Sequence, residues 1–223
     1  GGNVNSVAIN SDGKGLSTRF VSGDKSLLGE VKLNNYSITE ADFGVYQTDA
    51  LLKMLSVLDN DISVDLVKAE EKAISLDAKD SGAKVRYMLS DLSVINTPPQ
   101  LKQIPEFELL LNVDKTFVSK FISGKGALPD TESFTIVSGD NPEVVIGYSS
   151  IATNRVAVPV ENQTDNTIDN ISFNANLFKD VLEANKECES AVLEVSSEGL
   201  ARITFNVNDY ESTYYLVAVQ NVN

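Results

Sequence analysis

Alternating apolar and polar positions, rich in β-branched and aromatic residues, predict strands over Ala41–Gln47, Asp61–Val67, Glu71–Ala78 and Ala83–Leu89. The same pattern returns in Glu106–Leu111, Ser133–Ser138, Glu143–Ser149, Arg155–Val160, Asn170–Phe173, Ala191–Val195, Ala201–Val207 and Thr213–Val219. Turn clusters such as Ser22-Gly23-Asp24, Ser138–Pro142 and Ser197-Glu198-Gly199 separate the runs. Short strands with short connections make antiparallel meanders. Three segments change to the helical period. Thr48–Leu58 opens on a Thr cap with Asp49 in its first turn. Val113–Ser123 gathers Val113, Phe117, Val118, Phe121 and Ile122 on one side, opposite Lys115, Thr116, Ser119, Lys120 and Ser123. Ala175–Cys188 turns Leu177, Phe178, Val181 and Leu182 inward and Lys179, Glu183 and Lys186 outward. Each is amphipathic over about three turns and is expected to lie on a sheet. The class is α+β.

The elements repeat. A strand–helix–strands pattern begins near Phe43, Phe107 and Ile171, at a spacing of 64 residues. The residues before Phe43 (SVAINS, LSTRFV, SLLGEVKL) mirror the back half of the last copy (AVLEVS, LARITF, TYYLVAV). By that logic the chain opens in the middle of a repeat, without its first strand and helix, in keeping with a start on Gly1-Gly2 and no initiator Met. Two repeats make a domain. Asp91–Pro105 carries three of the six prolines and reads as a rigid, extended connector. The expected division is a first domain over 1–92, a connector over 93–105 and a second domain over 106–223.

Composition removes most catalytic chemistry. The chain has no histidine, which excludes Ser-His-Asp and Cys-His catalysis and most zinc sites. Its single cysteine, Cys188, rules out an intramolecular disulfide and reads as a small core residue. No apolar run reaches membrane-spanning length and no charged-then-apolar leader opens the chain, so a soluble intracellular protein without a membrane partner is expected. Asp59-Asn60-Asp61 and the oxygen-rich Glu161–Asn170 read as solvated turns rather than cation sites. Ser123-Gly124-Lys125-Gly126 lacks the first glycine of a phosphate loop and follows a helix instead of opening one. The sequons at Asn35 and Asn162 are coincidences in a chain without a leader. No nucleophile has a base in its local pattern. No catalytic residue, metal or cofactor is therefore expected, and the chain does not read as an enzyme.

Charge gives a weaker lead. Thirty-two acidic against 18 basic residues leave a net charge of −14, against a surface that is basic all over. Acidic residues crowd the first-domain hairpins (Asp59, Asp61, Asp65, Glu70, Glu71, Asp77, Asp80), whereas Lys53, Lys115, Lys120, Lys125, Lys179 and Lys186 stand on or beside the polar sides of the helices. Helices facing a common cavity would make it mildly basic, able to meet phosphates without reading bases. Asp49, Asp114, Asp180, Glu183 and Glu187 on the same helices oppose that.

The ordered set of patterns resembles the DNA sliding clamps, and among them the clamp of T4-type bacteriophages and cyanophages. Phe43–Leu66 (FGVYQTDALLKMLSVLDNDISVDL) is similar to that family's strand, helix start and Asp-rich turn. Tyr87–Pro105 (YMLSDLSVINTPPQLKQIP) is similar to its aromatic strand end and Pro-containing connector, and Ile171–Asp180 (ISFNANLFKD) to its last helix entry. The resemblance implies a homotrimeric ring that encircles duplex DNA irrespective of sequence, with sheets outside and the listed lysines facing the hole. It implies a tether for a phage DNA polymerase, whose C-terminal peptide would dock between Leu92, Val94, Ile95, Leu101 and Ile104. An ATP-dependent clamp loader and the host cytoplasm complete the expectation. This chain departs from the family in lacking a first Lys-containing helix and in having less basic cavity helices. A β-rich phage virion or tail protein is the competing reading, and a metal-dependent hydrolase using Asp59 and Asp61 is a third.

Overall fold

A computed structural model describes residues 4–101, 103–148 and 153–219, which divide into two compact units. The first unit runs to Gln100 and includes Asp209–Glu211; the second holds the remainder. Ser149, the last residue of one expected strand, lies outside the described residues.

In the first unit, β1 (Val7–Ser11), β2 (Leu16–Val21), β3 (Leu27–Leu33) and β4 (Ala41–Val45) are followed by α1 (Thr48–Leu55) and a hairpin series, β5 (Ser63–Ala69), β6 (Lys72–Lys79) and β7 (Lys84–Met88). Its strands order as β4-β1-β2-β3 and β5-β6-β7, antiparallel at every pair. In the second unit come β8 (Leu109–Asp114), α2 (Lys115–Ala127), β9 (Ser133–Val137), β10 (Glu143–Ile146) and β11 (Val156–Pro159). They are followed by β12 (Ile171–Asn174), α3 (Ala175–Ala184), β13 (Ser190–Ser196), β14 (Leu200–Val207) and β15 (Tyr210–Val217). The strand that leads into each helix pairs outside its own repeat. β8 lies against β13, and β12 against β9, so the second unit has β8-β13-β14-β15 and β12-β9-β10-β11. Each repeat then closes on its own first strand. Ser90 N donates to Gly44 O (2.9 Å), Gln163 N to Leu110 O (2.8 Å) and Val219 N to Ser172 O (2.9 Å).

Alternation explains the strands, but the helix ends differ from those the period predicts. Val113 completes the buried alternation Leu109–Leu111–Val113 of β8, so α2 begins only at Lys115, where the Asp114 carboxylate accepts from Phe117 N (2.7 Å). α3 stops at Ala184, four residues earlier than expected, because Asn185 turns its side chain back to Val181 O (2.7 Å) and Tyr214 Oη (3.2 Å). α1 is short, and Thr48 is its first residue rather than its cap: the Thr48 hydroxyl donates to Val4 O (2.5 Å).

The two cores are unequal. In the second unit Phe121 meets Phe134 and Phe178 edge-on at 5.3 and 5.0 Å, and Phe134 also stacks on Phe178 at 4.8 Å. The largest fully buried side chains among the described residues, from Phe121 to Ile203, all lie in this unit. The first-unit core is thinner, built on Ile38, Phe43, Val45, Leu66, Leu76 and Tyr87, and α1 buries no residue completely.

Two glycines of α2 separate helix propensity from packing. A Cβ on Gly124 would come within 2.8 Å of Val156 Cγ1, whereas one on Gly126 would meet nothing within 4 Å. Gly126→Ala should therefore stabilise the chain by about 0.5–1 kcal/mol. Gly124→Ala should show no gain, because overpacking against β11 opposes it. Urea midpoints of the two variants check this, and equal stabilisation by both would contradict the packing.

Candidate functional site

The six candidate lysines fall into four groups. Lys53 and Lys120 are exposed and make no ion pair among the described residues. Lys53 lines a 720 Å³ cleft of the first unit with Tyr46, Asp49, Val94 and Asn96, bringing one expected DNA-facing residue beside one expected groove residue. Lys120 lines a 570 Å³ cleft of the second unit with Phe117, Val156, Val158 and Glu161. Lys115 and Lys179 are engaged. Lys115 pairs with Glu189, and Lys179 Nζ lies 2.8 Å from Glu183 Oε1, a hydrogen bond that raises the Lys179 pKa above its ordinary value. Lys186 follows the end of α3 and so is not on its polar side.

Lys125 overturns its expected role. Its side chain is buried, with Nζ donating to Pro129 O (2.7 Å) and Leu128 O (3.4 Å). It ties down the two carbonyls just past α2, those of Leu128 and Pro129, instead of facing solvent, and the Gly-Lys-Gly setting that reads as surface is the last turn of the helix. The exposed side of α2 is then Lys115, Thr116, Ser119, Lys120 and Ser123, while that of α3 carries Asn176, Asp180 and Glu183. A basic face is built on one helix of this unit, not on both.

The connector residues also part. Asp91 caps a single 3₁₀ turn, Leu92–Val94, by accepting from Ser93 N (3.0 Å). Leu92 and Val94 are exposed, but Ile95 is 7% exposed and is corrected from groove wall to anchor. A Cβ on Gly44 would lie 3.0 Å from Ile95 Cγ1 and 2.8 Å from Ser90 O, so β4 needs glycine there to admit both. Leu101 and Ile104 belong to the second unit and are exposed in it. Sequence reasoning missed Arg19, which reaches from β2 to donate to Pro99 O (3.0 Å) while its Nε lies 2.8 Å from Glu30 Oε1. The signal was a charged pair at facing positions of β2 and β3.

The remaining chemistry belongs to turns. Asp80 accepts from Asp59 N, Gly82 N and Ala83 N at 2.7–2.8 Å, and these backbone donors hold its carboxyl below the ordinary value. Asp61 takes a left-handed conformation (φ 54°) in the same loop. Asn162 accepts from Leu110 N (3.3 Å) and Thr164 N (3.2 Å) beside β8, and Cys188 Sγ is buried and donates to Ser190 O (3.2 Å). Among the described residues no group of three acidic or Cys side chains is placed to hold a metal ion.

No known family profile matches the chain, and no curated protein matches it. Solved structures do. Proliferating cellular nuclear antigen (PCNA) from Entamoeba histolytica superposes with a TM-score of 0.77 at 13% identity, covering 98% of this chain and 91% of that one. The chain has a PCNA-like fold. That fold accounts for the three helices and the mostly antiparallel sheets, and it agrees with the duplicated repeats read from the sequence. At 13% identity, the likeness rests on the order of elements and not on shared side chains.

Two measurements test these assignments. Lys125→Met keeps the buried stem but leaves two carbonyls without their charged donor, and should cost roughly 1.5–3 kcal/mol in urea unfolding. A neutral outcome would return Lys125 to the surface. Asp80 has a folded pKa below its unfolded one, so its contribution is complete above the unfolded value and is lost as pH falls through the folded value. Asp80→Asn should therefore flatten the acid limb of stability, where the Asp80 carboxylate of the unaltered chain becomes protonated. An unchanged slope would mean that the loop does not depend on the charge.

Proposed function

We propose that this protein is a DNA sliding clamp of the T4-type phage kind: a non-enzymatic homotrimeric ring that encloses duplex DNA and holds a replicative polymerase to it. The observation that carries the reading is the PCNA-like fold over 98% of the chain. The Lys, Ser and Thr side of α2 supports it, since it offers phosphates sparse, sequence-blind contacts. So does the pair of dissimilar open strand edges. β7 and β11 each have one neighbour, and a head-to-tail contact between unlike edges closes into a ring at the right rotation. Lys53, Lys115 and Lys120 face the DNA. Leu92, Val94, Leu101 and Ile104 supply the apolar contacts for a polymerase or loader peptide. Loading falls to an ATP-driven partner in the cytoplasm of the infected cell.

Light scattering across a dilution series should give a particle of three times the 24.1 kDa chain mass. Open-ended growth with concentration would favour a virion component instead. Lys115→Glu with Lys120→Glu should weaken loader-dependent retention on circular DNA by about tenfold at low salt. Stability should fall by no more than about 1 kcal/mol, the scale of the exposed Lys115–Glu189 pair that the variant loses. Full processivity in that variant would remove α2 from the DNA face.

A further inference from the structure

Two open strand edges of this chain match each other residue by residue. A bond at the end of each ladder sets its phase. Leu89 N donates to Ile74 O (2.9 Å), so Val85 and Tyr87 also bond to β6, and the N–H and C=O groups of Lys84, Arg86 and Met88 point to the open side of β7. Val160 N donates to Pro142 O (3.0 Å), so Val156 and Val158 also bond to β10, and the backbone groups of Ala157 and Pro159 point to the open side of β11. Side chains follow the same phase. Tyr87 turns to the start of α1, where its hydroxyl accepts from Gln47 N (3.1 Å), and Val156 packs on Gly124 of α2. Lys84, Arg86, Met88, Ala157 and Pro159 are all exposed and stand on the opposite face of their strands. Two such edges brought together antiparallel therefore keep the helices of both on one side of a continuous sheet.

We propose, resting on the ring reading above, that β7 of one copy pairs with β11 of a second in the register that sets Arg86 opposite Ala157, Lys84 opposite Pro159 and Met88 opposite Arg155. Because outward bonds alternate, the register can slip only in steps of two residues. One step sets Arg155 opposite Arg86, and like charges directly opposed are destabilising. The other sets Pro159 opposite Arg86. Proline has no N–H, so the Arg86 carbonyl in the middle of the ladder is then left without a donor. In the proposed register Pro159 falls at Lys84, the first residue of β7, and Ala157 exchanges both bonds with Arg86. Arg86 leaves room for its partner, because Asp77 draws its guanidinium back over β6 (2.6 Å). On the helix side Tyr87 meets Val156, and Val85 meets Val158. Charge agrees with this choice. Lys79 and Lys84, both exposed, face each other across β6 and β7, and neither has an ion pair among the described residues. Glu143 stands beside Pro159 on β10, and Glu161 follows two residues after it. The register thus brings two carboxylates of the second copy around two lysines of the first.

Arg86→Cys with Ala157→Cys in one chain tests the register, since directly opposed residues bring their Cα atoms to about 5.5 Å, within reach of a disulfide. The native Cys188 is buried and does not compete. Oxidation should give covalent trimers on a denaturing gel. Lys84→Cys with Ala157→Cys and Met88→Cys with Ala157→Cys, each displaced by about 7 Å along the strand, should not link. Linking through either displaced pair, or a trimer in solution without linking at 86 and 157, would overturn the register and leave the ring reading standing. Linking at 86 and 157 in an open-ended polymer would uphold the register and overturn the ring. A monomer that does not link would overturn both. A charge exchange checks the same contact without cysteines. Lys84→Glu should raise the concentration at which the trimer half dissociates by about tenfold, and adding Glu143→Lys should restore most of the loss. No recovery in the double variant would overturn the placing of Glu143 beside Lys84.

Discussion

The fold depends on one constraint: the strand that leads into each helix cannot complete its ladder within its own repeat. Backbone N–H and C=O groups must be paired, and the pairing is met by exchange, β8 against β13 and β12 against β9. The exchange brings α2 beside α3, since each helix follows directly from an exchanged strand. The packed helices in turn enclose Phe121 and Phe178, on which Phe134 closes. The aromatic core is thus a consequence of strand exchange and not a separate feature. Where exchange has a single arm, as at β4 against β1, the core is thinner and the helix stays half-exposed.

This hierarchy explains what was legible in the sequence. Strand alternation is local, and the runs around Phe43, Ser133, Ala191 and Ala201 were all visible with ends shifted by a few residues. The repeat was visible too, because Phe43, Phe107 and Ile171 mark the same step of the pattern. The helix ends were not, since they depend on what a neighbour demands. Val113 fits both a helical period and a strand alternation, and only pairing with Ala191 decides for the strand. Likewise Asn185 ends α3 through the Tyr214 hydroxyl, a contact 29 residues away.

Site residues were harder still. Exposure of a lysine follows from the turn it occupies, and Lys125 sits where the Leu128 and Pro129 carbonyls, just past α2, attract its ammonium. Ile95 differs from its neighbours Leu92 and Val94 only in facing Gly44, and a run of apolar connector residues carries no period from which to tell them apart. Arg19 was legible only in part: Glu30 faces it across β2 and β3, but its other partner is a backbone carbonyl, Pro99 O, and carbonyls have no signature in a sequence.

Charge and topology lead to a consistent physical picture on the clamp reading. A surface that binds DNA by affinity needs several phosphate contacts, and each makes binding more sensitive to salt. This chain has a net charge of −14, ties Lys115 and Lys179 to glutamates, and exposes Asp180 and Glu183 on α3. Such a surface holds a duplex poorly. An enclosing ring needs no tight contact, because escape then requires opening a protein interface rather than breaking phosphate bonds. Weak, mobile lysines such as Lys53 and Lys120 even favour movement along the duplex, as a point charge on a flexible stem passes from one phosphate to the next. On that reading the burden of function falls on strand edges and their closure rather than on affinity for DNA.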